Sequence, residues 1–310
     1  MPVVDRHPQV GHRDPPAGAD SRGGRGGVRL SGESAKARRE VKPGQVRKEL
    51  LPEQSKALLT ALHLLTRDGK LNADSLRKLK QVNHLVGLLT PALDDAFARH
   101  EVPVLADLGS GNAYLGFVLY ELFFQERGEV WCVESRDDLS RRAQERAEKL
   151  GFSRMRFVTA PIALDVLPER VHVVTALHAC DTATDDALFA ALRRKADHVA
   201  VVPCCQAEVA QLLKAAPAKD TGALAALFQH PWHRREFGSH LTNVIRALTL
   251  EAQGYQVTVT ELTGWEHSLK NELILGKRVG GGEREPKVRL AALLAQTGVK
   301  PKLTRLLEGT

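Results

Sequence analysis

The chain is expected to fold as an α/β domain around a seven-stranded, mostly parallel sheet, and three observations predict it. Val102 to Gly116 is an apolar run that ends in an acid and a glycine turn and then enters a helix. Short apolar runs next alternate with amphipathic helical stretches as far as Val202, the pattern of right-handed crossovers between parallel strands. Tyr255 to Leu262 and Glu272 to Lys277 then flank a polar loop and read as an edge hairpin that makes the last strand antiparallel.

Taken in order, Met1 to Lys42 is rich in Gly, Pro, Arg and Asp and holds no aromatic residue. Residues 1–42 are therefore expected to be a disordered basic tail, because so little apolar surface cannot offset the entropy of ordering. Residues 43–100 read as an N-terminal helical extension. Gln45 to Thr66 carries Leu50, Leu51, Leu58, Leu59, Leu62 and Leu65 at helical spacing, interrupted by Pro52. A second helix is expected from Asp74 to Leu89, ending before Thr90 and Pro91, with a stripe of Leu76, Leu79, Val82, Val86 and Leu89. Lys78, Lys80, Gln81 and His84 project from other sides, as a solvated face or as part of a substrate wall.

Residues 101–279 hold the sheet. Val104, Leu105, Ala106 and Leu108 form a nearly continuous apolar strand, as expected where helices cover both faces. A helix over Tyr114 to Gln125 leads to strand Glu129 to Glu134, then to a charged helix, Arg136 to Leu150, capped by Gly151. Met155 to Thr159, Val171 to Leu177 and His198 to Val202 are the next strands, with helix Ala183 to Lys195 between the last two. Ala207 to Ala216, Ala223 to Gln229 and Glu236 to Gln253 read as helices, with His230 to Arg235 as a rim loop. In residues 280–310, a Gly-rich linker precedes a helical appendage over Lys287 to Leu307.

The totals bound the function. Lys plus Arg is 44 against 37 acids, a formal charge of +7 that favours an anionic partner. Much of the surplus is in the tail, since residues 1–50 hold 11 basic and 6 acidic side chains. The four cysteines lack the framework spacing of small secreted domains, so a reducing, cytoplasmic setting is expected. No apolar run approaches the roughly 18 residues that span a bilayer, and the N-terminus lacks a signal-peptide core; a soluble protein without membrane contact is expected.

A strand, glycine turn and helix can hold several ligands, and spacing separates them. No G-K-S/T follows the turn, which excludes a P-loop. Tyr114 stands where a dinucleotide site needs its third glycine. Asp107 just before Gly109 would repel a diphosphate but attract a ligand bearing an ammonium and a sulfonium, as S-adenosylmethionine does. Glu134, ending the second strand, is placed to accept both ribose hydroxyls.

A second constellation, Leu177-His-Ala-Cys-Asp-Thr-Ala-Thr-Asp185 and Val202-Pro-Cys-Cys-Gln206, follows the fourth and fifth strands. With D-L-G-S-G and Tyr114-Leu115, His178, Cys180, Ala183 to Asp185, the Cys204-Cys205 pair and Lys270-Asn271, the chain from about Leu76 to Arg278 resembles a known group. It is the S-adenosylmethionine-dependent methyltransferase domain shared by the acceptor-stem tRNA 2′-O-methyltransferases and the glutathione S-transferase C-terminal domain-containing protein. The resemblance implies a Rossmann-like class I methyltransferase fold, S-adenosyl-L-methionine as cofactor, and RNA modification. This sequence departs from the group at Asn112 and Ala113, where Lys and Gly are common, at Asp181 in place of Gly, and at Gln206 in place of His. The CHHC zinc module of the eukaryotic tRNA enzymes has no match.

The expected cofactor set is Asp107, Gly109, Ser110, Gly111, Asn112, Tyr114, Leu115, Glu134, Ser135, Ile162, Leu177 and His178. His178 and Asp181 stand where a base or orienter is needed, with a strand-end hydrogen bond and a helix cap as their structural alternatives. Cys180, Cys204 and Cys205 rank first as structural thiols, then as shaping the substrate site, then as a nucleophile of the kind pyrimidine C5 methylation needs, and last as a zinc site with His178, which lacks the usual CxxC spacing, so that no metal is expected. The expected substrate side is Lys80, Cys204, Cys205, Trp232, Arg234, Arg235, Lys270 and Asn271, with Arg246 and His267 on the same rim. Three functions follow: a methyltransferase for tRNA or rRNA, a methyltransferase for a small molecule or protein, and a non-catalytic RNA-binding protein. A nicotinamide enzyme is a more distant fourth.

Overall fold

The computed structural model describes residues 54–65, 73–177, 179–215, 222–262, 272–281 and 284–309, all within the unit Val41–Thr310. Helix α1 (Lys56–Ala61) opens on Ser55, whose side chain accepts the Leu58 N–H at 3.0 Å. Helix α2 (Ala73–Arg99) corrects the expected stop at Leu89, since it runs straight through Pro91. Packing outweighs the lost backbone hydrogen bond there: Leu89, Leu93 and Ala96 are all buried on one stripe across the proline. The Thr90 hydroxyl donates to the Val86 carbonyl at 2.8 Å.

Strands β1 (Val104–Leu108), β2 (Glu129–Glu134), β3 (Met155–Thr159), β4 (Val173–Ala176), β5 (His198–Val201), β6 (Tyr255–Glu261) and β7 (Glu272–Arg278) form one sheet in the order β3-β2-β1-β4-β5-β7-β6. Strands β1 to β5 pair in parallel, while β7 runs antiparallel to both β5 and β6. The expected antiparallel final strand is present, inserted between β5 and β6. The order reverses at β1 and β4, so the crevice beyond their carboxyl ends is where this architecture receives a ligand.

Helix α3 (Tyr114–Leu119) passes into a π-helical turn, Tyr120–Phe124, and α4 (Asp137–Leu150) ends on left-handed Gly151. Helices α5 (Ala183–Arg193), α6 (Glu208–Ala215) and α7 (Pro231–Ala252) follow, and Gly222–Leu227, in the stretch expected to be helical, is a 3₁₀ turn. The segment from His230 to Arg235 is also corrected. It is the cap and first turns of α7, with Pro231 at the start where its missing N–H costs nothing.

Residues on alternate sides of the strands bury two cores. Leu105, Phe117, Phe124, Val130 and Met155 pack on one face with leucines of α1 and α2, while Ala106, Leu108, Val174, Leu188 and Ile274 pack on the other. A third cluster joins α6 to α7 through Val209, Leu213, Leu241 and Ile245. Helices α8 (Arg284–Thr297) and α9 (Lys302–Glu308) complete the chain, and α9 buries Leu303 while Lys302 pairs with Asp186 at 2.7 Å. At the amino ends of the strands, Asp197 joins His100, Arg99 and Arg278, and Asp95 joins His198. That clasp fastens α2 to the end of the sheet remote from the crevice. Among the described residues no helix is long and apolar enough to cross a membrane.

Candidate functional site

The turn after β1 is tied to the end of β2. The N–H groups of Gly109 and Ser110 both donate to the Val133 carbonyl, at 2.8 and 3.0 Å. Gly109, Gly111 and Ala113 have φ of 66°, 59° and 55°, left-handed angles that glycine adopts freely and alanine only at a cost of roughly 1–2 kcal/mol. A side chain at Gly109 would also lie 3.2 Å from Ala179. The loop after β4 therefore presses directly against the turn after β1, as the sheet order requires.

Asp107 is turned into the domain. It stands in register with Cys132 of β2 and Thr175 of β4, accepts the Thr175 hydroxyl at 2.9 Å, and also accepts the Gly116 N–H. Its carboxylate locks α3 to the sheet, where the sequence had placed it against a cationic ligand. Burial pushes Asp107 up to about 6, against those two hydrogen bonds, and the nearby charge of Glu134 adds to the rise. The folded chain thus holds a proton over a window from about pH 4 to about pH 6 in which the unfolded chain has lost it. Its contribution to stability is complete below that window and falls by about 3 kcal/mol as pH rises through it. Urea unfolding across this window, native chain against Asp107→Asn, is expected to show that pH-dependent difference; a constant difference would contradict it.

Glu134, buried at the end of β2, accepts the Gly111 N–H at 2.8 Å and both the backbone N–H and the Nε of Arg136 at 3.0 Å. Burial works to raise its pKa, but Arg136 and the Gly111 N–H outweigh that and hold it below the usual glutamate range. It is therefore an ionised acceptor next to the glycine turn.

On the other side of the crevice, the loops after β4 and β5 are stitched together. Asp181, at φ 50°, accepts the N–H groups of Ala207 and Glu208 at 2.9 and 3.3 Å. It caps α6, not the α5 that the sequence indicated as the structural alternative. Arg246 donates to the Asp181 carbonyl at 2.7 Å and pairs with Asp185 through two bonds of 2.7 and 3.2 Å. Arg246 is only 1% exposed, so its expected place on a basic rim is corrected: it is a buried brace between α7 and α5. Asn243 accepts from Gln206 at 3.2 Å and donates to Glu272 at 2.8 Å, and Ser239 donates to Gln206 at 2.9 Å. These polar side chains of α7 were not singled out from the sequence, where nothing in a long amphipathic helix separates them from ordinary surface residues.

Three thiols converge at the mouth of this assembly. The sulfurs of Cys180 and Cys204 are 3.0 Å apart, and those of Cys180, Cys204 and Cys205 all lie within 4.8 Å of one another. Burial and then the two neighbouring thiols push Cys204 up to about 12. Next to them opens a cleft of about 1370 Å³, lined among others by Cys205, Gln206, Trp232, Arg234, Arg235 and Asn243. Trp232 is 64% exposed, and the Arg235 guanidinium stacks 4.2 Å from its ring centroid. Arg235 also pairs with Glu236 at 2.9 Å, and Arg234 donates to the Phe228 carbonyl at 3.3 Å.

Of the expected cofactor residues, Ser110, Gly111 and Leu115 are buried around the turn, Asn112, Tyr114, Ile162 and Leu177 are half-buried, and Ser135 is exposed beside Glu134. Among the expected substrate residues, Cys205, Trp232, Arg234 and Arg235 come together on the cleft, whereas Lys80 is exposed on α2 and does not line it. His178, His267, Lys270 and Asn271 lie outside the described residues.

Comparison with known proteins shows what this chain is similar to. Residues 77–212 match the family model described as a methyltransferase domain. That match covers less than half of the chain. The chain is 25% identical over 232 residues to the glutathione S-transferase C-terminal domain-containing protein of Xenopus laevis, covering 68% of this chain and 36% of that protein. It is 27% identical over 230 residues to the Homo sapiens protein of the same name, covering 68% and 35%. The chain thus spans about a third of the length of the curated relatives it matches. Solved structures that overlap it include an rRNA methylase from Streptococcus thermophilus, with 11% identity, a TM-score of 0.41 and coverage of 63% of this chain and 96% of that one. Another is magnesium protoporphyrin IX methyltransferase from Synechocystis with bound SAH, with 16% identity, a TM-score of 0.42 and coverage of 71% and 94%. The methyltransferase domain implies S-adenosylmethionine, and an ionised Glu134 beside a glycine turn is a donor and acceptor set that fits its ribose and main-chain contacts.

Proposed function

We propose that this chain is an S-adenosylmethionine-dependent RNA methyltransferase, and the observation that carries the RNA assignment is the cleft beside the cysteine cluster. Its volume of about 1370 Å³ exceeds the roughly 300–1,000 Å³ typical of small-molecule pockets. An exposed Trp232 with Arg235 stacked on it, and Arg234 on the same helix, supplies an aromatic plate for a base and cations for phosphates.

When bound, S-adenosylmethionine would supply a methyl group on a sulfonium; an acceptor oxygen, nitrogen or carbon in line would take the methyl, and S-adenosylhomocysteine would leave as the neutral thioether. Glu134, at the end of β2 and beside the glycine turn, would hold the ribose hydroxyls. The turn after β1 presents N–H groups at the start of α3 to the remaining polar atoms. Asp181, Asp185 and Arg246 hold the loops after β4 and β5 at a set distance, and alignment of this kind supplies much of the rate for a displacement. For a ribose hydroxyl acceptor, His178 is assigned as the proton acceptor on its position after β4.

Transfer of a tritiated methyl group to total RNA, protein and small-molecule fractions tests the assignment. Label is expected in RNA; label confined to protein or small molecules would replace the acceptor, and failure of the native chain to bind S-adenosylmethionine would remove the enzymatic function altogether. Arg234→Ala with Arg235→Ala is expected to weaken RNA binding and to lower the slope of log affinity against log salt by about two, one per lost phosphate contact. Cofactor affinity is expected to stay unchanged, and unaltered RNA affinity at matched salt would overturn this placement of the groove.

A further inference from the structure

The convergence of Cys180, Cys204 and Cys205 goes beyond what methyl transfer needs. Cys180 comes from the loop after β4 and the pair Cys204-Cys205 from the loop after β5, with Cys180 and Cys204 standing 24 positions apart. No short motif holds them together; the parallel pairing of β4 with β5 and the Asp181 bridge to α6 do. We propose that these three thiols are a zinc site, binding one Zn²⁺ through three thiolates.

The geometry carries it. Zn–S bonds of about 2.3 Å in a tetrahedral ion set sulfur atoms about 3.8 Å apart. The observed separations are compatible with that value, with 3.0 Å between Cys180 and Cys204 and no pair more than 4.8 Å apart. Changes in sulfur–sulfur separation of about an ångström or less would therefore bring all three to the spacing of a common ion. A disulfide between Cys180 and Cys204 would use two of the sulfurs, whereas a soft cation uses all three. Cys180 and Cys205 are exposed, so an ion has an entry path, and Cys205 lines the cleft. Three protein ligands leave the fourth tetrahedral position to water or to an acceptor atom, the pattern of zinc sites that do chemistry. Each thiol gives up its proton on binding, so uptake of one Zn²⁺ releases up to three protons to solvent.

The site stands independently of the methyl donor, and the test does not use transfer activity. The full chain, kept reduced with a phosphine, is titrated with Co²⁺ as a spectroscopic probe and then with Zn²⁺ against a chromophoric chelator. One equivalent is expected to bind with a thiolate-to-Co²⁺ charge-transfer band that Zn²⁺ abolishes, and proton release is expected to accompany it. Cys180→Ser, Cys204→Ser and Cys205→Ser are each expected to weaken binding by more than the roughly 10–100-fold that loss of an outer hydrogen bond costs a metal site. Cys132→Ala, which alters a thiol buried between β2 and α3, is expected to retain the band. The proposal is overturned if the triple serine variant, shown folded by circular dichroism, binds as much metal as the native chain. It is equally overturned if Cys205→Ser is without effect, or if no charge-transfer band forms.

Discussion

Replacing Arg246 with methionine is expected to destabilise the fold by about 3–5 kcal/mol, the usual consequence of removing one partner from a buried ion pair. Arg246 and Asp185 are each about 1% exposed and joined by two hydrogen bonds, and the same guanidinium also holds the Asp181 carbonyl and the Asn243 side chain. Methionine fills most of the volume but leaves a carboxylate in the core with no cation. Burial already acts to raise the Asp185 pKa, with Arg246 working against it. Without the arginine, the folded-state pKa rises further above the unfolded value of about 3.9. The loss is therefore expected to be fully present at neutral pH and to shrink as pH falls toward that unfolded value, where the folded and unfolded forms are both protonated. Denaturant unfolding at neutral and acidic pH measures it, and adding Asp185→Leu is expected to recover much of the loss. A loss below about 1 kcal/mol would mean the pair is not the brace described.

Glu134→Gln is expected to weaken S-adenosylhomocysteine binding by about 10–100-fold, the equivalent of hydrogen bonds to a charged acceptor at roughly 1.5–3 kcal/mol. A carboxylate can receive two ribose hydroxyls, whereas an amide presents one oxygen and a competing N–H group. The turn itself is expected to survive, because an amide oxygen can still accept from Gly111 and the Arg136 side chain it releases is mostly solvent-exposed. Calorimetry reads the affinity and a thermal melt reads the fold. Unchanged affinity in a folded variant would move the ribose contact away from β2.

Much of the scaffold is legible in the residues. Strands β2 and β3 fall where apolar patterning places them, residue for residue, and Gly151 ends α4 as a left-handed cap. Local signals fail where packing outweighs them. Pro91 reads as a stop, yet the buried stripe of Leu89, Leu93 and Ala96 carries α2 across it. His230-Pro231 reads as a loop, although a proline at the first helical position was the available sign of a helix start.

Sequence by itself determined the alternation of strands and helices, the glycine turn with Glu134 at the neighbouring strand end, and the pair of loops that face it. These follow from periodicity and backbone freedom, which act over a few residues. Only the tertiary structure decided which polar groups meet. Asp107 finds Thr175 across 68 residues, Arg246 finds Asp185 across 61, and Cys180 finds Cys204 across 24. Whether a charge faces a ligand or the core depends on strand order and register, and no local pattern encodes these. For that reason the partners of Asp107 in the sheet came from the fold alone, and an arginine expected on a rim became a brace.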